Sequence, residues 1–429
     1  MHDIKQIRQN PEKFFTALSR RGEVHSLNRL LELEKERRES GARLDEMRAK
    51  RNSVSKEIGA LRKRGGETRL AEDEMRSLGN EIQASEGLVR DLDAAIDEML
   101  LDIPNLPAES TPDGKDPSAN ITVRTWREPA RHDFSPLDHL DLSERLDILD
   151  FKRGGKIAGS GFPVWKGDGA RMERALINLF LDTQTTAHGY KEMMTPFVAS
   201  RQSMKATGQI PRLEDDMYHI EREDLFLIPT SEVTLVNLHR GEILNESDLP
   251  LRYTAYSPCF RREAGAYGKD TRGFLRVHQF NKVEMVRFEK REESYAALDQ
   301  LVGHAETLLQ MLELPYRVLR LCAGDMGFNA AACYDLEVWA SATGKWLEVS
   351  SCSNCEEFQA RRASIRFRRN STGKNEYVHT LNGSGLATSR VMVAIIENYQ
   401  TEEGSLVVPP VLRRYMNGKT IITPIGDRP

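Results

Sequence analysis

A chain of 429 residues is too long for one ordinary domain, and two is the natural expectation. With 29% charged and only 39% hydrophobic residues, part of it should be an elongated, solvated helical segment. The formal net charge of −4 excludes a uniformly basic nucleic-acid binder, so any nucleic acid must meet local patches.

The opening stretch, MHDIKQIRQN, carries charge throughout and has no apolar core segment, so it does not read as a signal peptide. No run approaches the roughly 20 apolar residues that a membrane helix needs. Five cysteines (Cys259, Cys322, Cys333, Cys352 and Cys355) are few, odd in number and late in the chain, which points to a reducing, cytoplasmic setting.

From Leu27 to about Arg64 the sequence is rich in Leu, Glu, Lys and Arg and has no proline. Leu44, Met47, Val54, Ile58 and Leu61 form a coiled-coil seam in which Arg51 takes one place. Met75, Leu78, Ile82, Val89, Leu92, Ile96 and Met99 form a second seam. The short break at Arg64-Gly65-Gly66 allows only a tight reversal, which predicts an antiparallel helical hairpin over about 27–100. Helices of this length reach roughly 50 Å. Residues 27–64 hold twelve Lys/Arg against seven Asp/Glu, whereas 67–102 hold three against eleven. Such complementary faces help the helices pair. The basic tip, Arg62, Lys63 and Arg64, is also suited to phosphates. Next, IPNLPAESTPDGKDPSAN (103–120) breaks every periodicity and reads as a linker. The chain therefore divides into a helical arm (1–103), a linker (104–120) and a second domain (121–429).

In the second domain, 170–189 reads as a long amphipathic helix ending near Gly189. The stretches DLFLIPTSEV, LRYTAYSPCFRRE, LRVHQFNKVEMVRF, YDLEVWAS and KWLEVSSCS read as strands. A last helix over 386–400 is introduced by Gly-Ser-Gly at 383–385. Strands joined mainly by hairpins, with helices outside, predict an α+β fold on a mostly antiparallel sheet. GxGxxG between strand and helix, and GxxxxGK[ST], are both missing, which disfavours a doubly wound nucleotide fold.

The stretch CFRREAGAYGKDTRGFLRVHQF (259–280) concentrates Arg261, Arg262, Lys269, Arg272 and Arg276 on one glycine-rich hairpin. Arg261 and Glu263, two residues apart, would share a face if both lay on one strand. An arginine there can fork onto a phosphate and offset developing charge, and the glutamate can accept a hydrogen bond from an adenine amino group. Glu348 with Ser350 and Ser351 offers hard oxygen ligands for Mg²⁺. Arg390 lies near the start of the last helix, where an anion is already favoured. Each feature alone fits an ordinary surface hairpin, polar strand or salt bridge, and only their coincidence in one domain points to a nucleotide.

Taken in order, RMERALINLFLDTQTTAHGYKEMMTPF, PCFRREAG with TRGFLRVHQFNKVEM, LEVSSCSNCEEFQARRASIRFR and LNGSGLATSRVMVAIIENYQ resemble motif 1, motif 2, the following ATP and metal strand, and motif 3 of class II aminoacyl-tRNA synthetases. LIPTSEV resembles a Thr-x-Glu serine-binding loop, and the likeness, closest to bacterial-type seryl-tRNA synthetases, spans essentially the whole chain. The resemblance implies an antiparallel class II sheet flanked by helices, preceded by an all-α coiled-coil arm. It implies activation of L-serine with ATP and transfer to tRNA(Ser), and to tRNA(Sec) where that exists. It gives Arg261 and Arg390 catalytic roles on the α- and γ-phosphates, with Arg262, Glu263, Val277, Phe280, Glu348, Val349, Ser350 and Ser351 also at ATP. Mg²⁺ would lie on Glu348 and Ser351, and serine on Thr230, Ser231, Glu232, Glu284 and Ser384. Arg51, Arg62, Lys63, Arg64 and Lys269 are the candidate tRNA contacts. The resemblance further implies a homodimer in which one subunit's arm serves the other's active site, with no membrane partner.

Several positions depart from that family's usual pattern: Leu347 before the metal-site glutamate, Ala332 and Cys333 where lysine is common, and Ala-Thr-Ser before Arg390. They leave open a specialised paralogue, serving antibiotic resistance or biosynthetic supply, and a catalytically degenerate tRNA- or protein-binding module. Cys352 and Cys355 form a lone CxxC with no second pair, so no zinc is expected.

Overall fold

A computed structural model describes residues 1–22, 27–129, 131–264 and 273–427. They form two compact units, one of residues 1–19 and 27–104, the other of 20–22 and 105–427.

The first unit is helical. Two short helices, Ile4–Gln9 and Pro11–Ser19, precede α1 (Leu27–Lys63) and α2 (Arg69–Asp102). Leu44, Leu78 and Ile82 pack together with Met47 and Val89 along the seam that the spacing predicts. The reversal is tight: the Gly66 N–H returns to the Leu61 carbonyl at 3.0 Å, and Gly65 takes φ +69°. Across the hairpin, Arg37 pairs with Asp93, Arg48 with Glu86, Lys50 with Glu74 and Arg62 with Glu72. The charge division therefore glues α1 to α2 and leaves Arg51, Lys63 and Arg64 exposed.

The second unit is built on an eight-stranded sheet. In chain order its elements are β1 (Ile121–Trp126), α3 (Gly167–Thr186), β2 (Lys191–Glu192), α4 (Glu232–Asn237), β3 (Leu251–Phe260), β4 (Gln279–Glu289), α5 (Ser294–Met311), β5 (Tyr316–Arg320), β6 (Ala332–Ala340), β7 (Lys345–Asn354), β8 (His379–Ala387) and α6 (Thr388–Asn398). The strand order is β1-β5-β6-β7-β8-β4-β3-β2, antiparallel throughout except for the parallel β2–β3 pair at one edge. One face packs its apolar side chains (Val283, Met285, Val338 and Val349) against α3, α5 and α6. The opposite face is polar at its centre, because on β4 the alternating residues Lys282 and Glu284 face the other side from Val283 and Met285.

Several expected boundaries move. The helix expected over 170–189 runs Gly167–Thr186. The strand expected over 224–233 is only Leu225–Leu227, and α4 begins at Glu232, whose N–H bonds to Thr230 Oγ1 (3.2 Å) as the turn tightens. Likewise β4 starts at Gln279, later than the expected start at Leu275. Gly383–Gly385 lie inside β8 and are not a loop before the last helix. A Cβ on Gly383 would sit 2.7 Å from Cys352 Sγ and 3.1 Å from Leu301, so glycine is what lets α5 approach the sheet there. The proline-rich stretch after Pro104 has no α-helix or strand before Ile121. It is tied into the second unit by Asn105 and Ala108 N–H bonds to Phe328 and Ala331 and by Thr111 Oγ1 to Ala331. Its irregular backbone finds hydrogen-bond partners on the second unit.

Candidate active site

The polar centre of the sheet is the floor of a cavity of about 510 Å³, a size suited to a nucleotide-sized ligand. Its walls come from β4, β7, β8, the starts of α4 and α6, the residues just beyond β3 and the loops around Gly208 and Phe328, so residues as far apart in the chain as Gly208 and Arg390 meet there.

At one end lie two guanidiniums. Arg261 follows the last residue of β3, its N–H bonded to the His278 carbonyl at 3.0 Å, and its guanidinium lies 5.2 Å from the centroid of the Phe280 ring. Arg390 is the third residue of α6, and its Nη1 donates to the Glu348 carbonyl at 2.8 Å and approaches the Glu348 carboxylate at 3.5 Å. Leu275, Val277 and Phe280 supply an apolar wall between them. Glu263 also lines the cavity, but not by the expected strand alternation. It lies beyond β3 with φ +52°, and its carboxylate is held by Arg276 at 2.9 Å. A tight turn does what the strand was expected to do.

Glu348 and Ser351 both face the cavity although they stand three positions apart, an odd step that would place them on opposite faces of a regular strand. The register against β6 shifts between Leu336–Ser350 and Glu337–Glu348, so Val349 is the extra residue of a bulge, and the bulge resets the alternation. Val349 itself forms part of the lining. Ser350, by contrast, is buried and donates its hydroxyl to the Ser384 carbonyl (2.6 Å), so it does not face the cavity as expected. Asp335, opposite Ser351 on β6, was missed by sequence reasoning. Burial, then the charge of Glu348, raises its proton affinity well above the usual carboxylate range. Among the described residues, no three His, Cys, Asp or Glu side chains are grouped to hold a metal.

The other end of the cavity is a small buried polar pocket. Glu232 accepts from Gln359 Nε2 (2.6 Å) and Asn382 Nδ2 (3.1 Å). Both partners are neutral amides, and burial, then the charge of Glu284, pushes the Glu232 carboxyl up to about 7. Glu284 is compensated differently, by an ion pair with Lys282 and a hydrogen bond from Thr230 (3.1 Å). Ser384 and Asn382 on β8 complete the lining. Ser231 does not belong to it, because its buried hydroxyl turns inward and donates to Ser257 at 2.6 Å. Arg262 also points away, bonding through its side chain and N–H to the Asp215 and Asp216 carbonyls. Lys269, a candidate tRNA contact, lies outside the described residues.

Lys282 and Asn382 each stand two residues before an expected ligand on the same strand face, and that spacing was the available signal. Gln359 gave none, because it arrives from the helix Phe358–Ala363. Glu173 on α3 gave none either. It accepts from Asn281 Nδ2 on β4 (2.8 Å) and from the Thr388 hydroxyl at the start of α6, and so ties β4 to the helix that carries Arg390. Cys352 and Cys355 are buried free thiols, raised by burial out of the reactive range.

An antiparallel sheet of this order, with two arginines converging from the hairpin and the last helix, defines a class II tRNA synthetase core. The family model for that core (the G, H, P, S and T group) matches residues 216–399, and the seryl-tRNA synthetase N-terminal domain matches residues 1–107. The chain is 51% identical to a serine–tRNA ligase of Prosthecochloris aestuarii, covering 98% of this chain and 99% of that protein. Its fold matches seryl-tRNA synthetase from Pyrococcus horikoshii, solved with ATP, at TM-score 0.93 and 39% identity over 99% of this chain and 100% of that one. It also matches a cytoplasmic serine–tRNA ligase from Naegleria fowleri, solved with AMP, at TM-score 0.89 and 30% identity over 99% of both chains. The chain belongs to the seryl-tRNA synthetase family. Nothing in these comparisons favours a specialised paralogue or a degenerate module over a working ligase.

Proposed function

We infer that this chain activates L-serine with ATP and transfers the seryl group to tRNA(Ser). The observation that carries the reading is one cavity lined both by the Arg261 and Arg390 guanidiniums and by two differently compensated buried carboxyls.

In the first step a serine carboxylate oxygen attacks the α-phosphorus and diphosphate leaves. Arg261 offsets charge at the α-phosphate, Arg390 takes the γ-phosphate, Phe280 and Val277 cover the adenine, and Glu263 accepts from its amino group. Glu232, whose carboxylate is hydrogen-bonded by the Gln359 and Asn382 amides, takes the serine ammonium. Glu284, already balanced by Lys282, reads the hydroxyl together with Ser384. Alanine or glycine would leave those groups unpaired, which is the basis of selection. In the second step a hydroxyl at the tRNA 3′ end attacks the adenylate carbonyl and AMP leaves. Neither step needs a protein nucleophile, so catalysis is alignment plus charge stabilisation.

Glu348 and Ser351 supply hard oxygens beside Asp335, and the crowded negative charge there suits a hard divalent cation. These residues would hold Mg²⁺, which would neutralise phosphate charge when bound. The arm (1–103) would grip tRNA through the exposed Arg51, Lys63 and Arg64, with Arg62 shared with Glu72 and Lys269 meeting the acceptor end from the hairpin. Charging of tRNA(Sec) follows wherever that tRNA offers the same body. A homodimer through α3 and the edge strand β2 is favoured by Met194, 95% exposed just beyond that edge. In it one subunit's arm serves the other's site. No helix among the described residues is long and apolar enough to cross a membrane. The likeness to bacterial serine–tRNA ligases is what supports placing the protein in the cytoplasm.

ATP–diphosphate exchange across the amino acids tests the reading. Exchange with serine alone is expected, and no exchange with serine overturns it.

A further inference from the structure

Resting on the serine-pocket reading above, the geometry points to a role for Lys282 that is distinct from binding ATP or serine. We propose that Lys282 is the positioning residue that makes the pocket specific for a hydroxylated amino acid, by fixing which oxygen of Glu284 faces the substrate. Lys282 lies on β4, two residues before Glu284 on the same face, and is buried in the cavity lining. Its Nζ pairs with Glu284 Oε2 and donates to Thr230 Oγ1 at 2.9 Å. Thr230 in turn donates to the same Oε2 at 3.1 Å and accepts from the Glu232 N–H at 3.2 Å. Oε2 is thus occupied twice and the Thr230 hydroxyl is spent, while Oε1 is left to accept from a substrate hydroxyl. A carboxylate held this way is an acceptor only, and it penalises any ligand that brings no donor.

The charge balance gives the second half of the argument. Glu232 and Glu284 face each other across the pocket, and with Lys282 they sum to one negative charge, matched by one ammonium. The other charged or titratable groups facing them are Arg261 beyond β3, Cys259 on β3, Cys352 on β7 and Cys355 just after it. All three thiols are raised by burial and stay neutral at working pH. Without Lys282, two buried carboxyls would share a proton at neutral pH. A protonated Glu284 could donate as well as accept, and the demand for a hydroxyl would weaken.

The test is Lys282→Met, which keeps the stem and removes the ammonium, beside Lys282→Arg, which keeps a charge. Serine- and alanine-dependent ATP–diphosphate exchange would be measured from pH 6 to 9. For K282M the ratio of kcat/KM for serine over alanine should fall by about tenfold or more, mainly through serine KM, with ATP KM unchanged. Its serine profile should change from the single inflexion near 7 that Glu232 gives wild type to a broader, two-step one as the two carboxyls titrate together, and K282R should retain more of the discrimination. An unchanged serine-to-alanine ratio and pH profile in a folded K282M would overturn the proposal. If K282M does not fold, K282Q, which still donates to Thr230, is read by the same two criteria. Failure of wild type to activate serine would instead sink the pocket reading itself, so the two failures are distinguishable.

Discussion

The arm and the catalytic unit use the same charged residue types to opposite ends. On the arm, Arg48–Glu86 and Lys50–Glu74 are solvent-exposed pairs, repeated along a seam that the heptad spacing already specifies. In the cavity, Lys282–Glu284 and the amide-bound Glu232 are buried, few and unrepeated. An exposed pair can be lost and water takes its place. A buried one leaves an unpaired charge behind, so each cavity contact is consequential where each arm contact is dispensable. The arm is built by redundancy and the site by single contacts.

The largest effect that would sharpen this contrast is Arg261→Ala. Removing a preorganised cation from the reacting phosphate should cut serine-dependent exchange by about 10²–10³ while the fold melts as before, and an exchange rate within threefold of wild type would break it. Deleting residues 44–85 should do the reverse. Exchange should stay within about twofold while tRNA charging falls by a factor of ten or more if the basic tip meets tRNA phosphates as proposed. Equal loss of both activities would deny the division of labour.

Glu232 gives a pH test. Its carboxyl sits at about 7, above the ordinary carboxylate value, so below pH 7 it is protonated before serine binds. Serine KM should rise by about tenfold per unit as pH falls below 7, while ATP KM stays level. The stability sign runs the other way. Between the ordinary carboxylate range and 7 the folded state holds a proton that the unfolded state has released, so this group's contribution to stability falls as pH rises through that window. Glu232→Gln should flatten that slope in thermal melts, and a slope unchanged by the substitution would count against the buried-carboxyl account. The smallest effect belongs to Arg48→Ala on the arm, which should leave the melting curve and tRNA charging indistinguishable from wild type.

Legibility in the sequence followed the same divide. The arm was readable because Leu44, Leu78 and Ile82 recur at helical spacing, and periodicity reports burial directly. Within the site, Arg261, Arg390, Glu348 and Glu284 were found because they sit in ordered motifs, and the cavity does bring them together. Orientation was not legible. The bulge at Val349 decides that Ser351 faces the cavity and Ser350 does not, and a bulge shows only once the partner strand is known. Ser231 turned inward because Ser257, 26 residues later, offers it an oxygen. Glu263 reached the cavity through a left-handed turn, where alternation no longer applies. Partners such as Gln359 and Glu173 come from elements whose approach is set by packing, which no local pattern encodes.

The most direct measurement is a crystal structure with a non-hydrolysable seryl-adenylate analogue. The expected result has Arg261 forked on the group replacing the α-phosphate, the adenine against Phe280, the ammonium on Glu232 and the serine hydroxyl on Glu284. An analogue seated elsewhere, or bound with Glu232 and Glu284 both unengaged, would contradict the account.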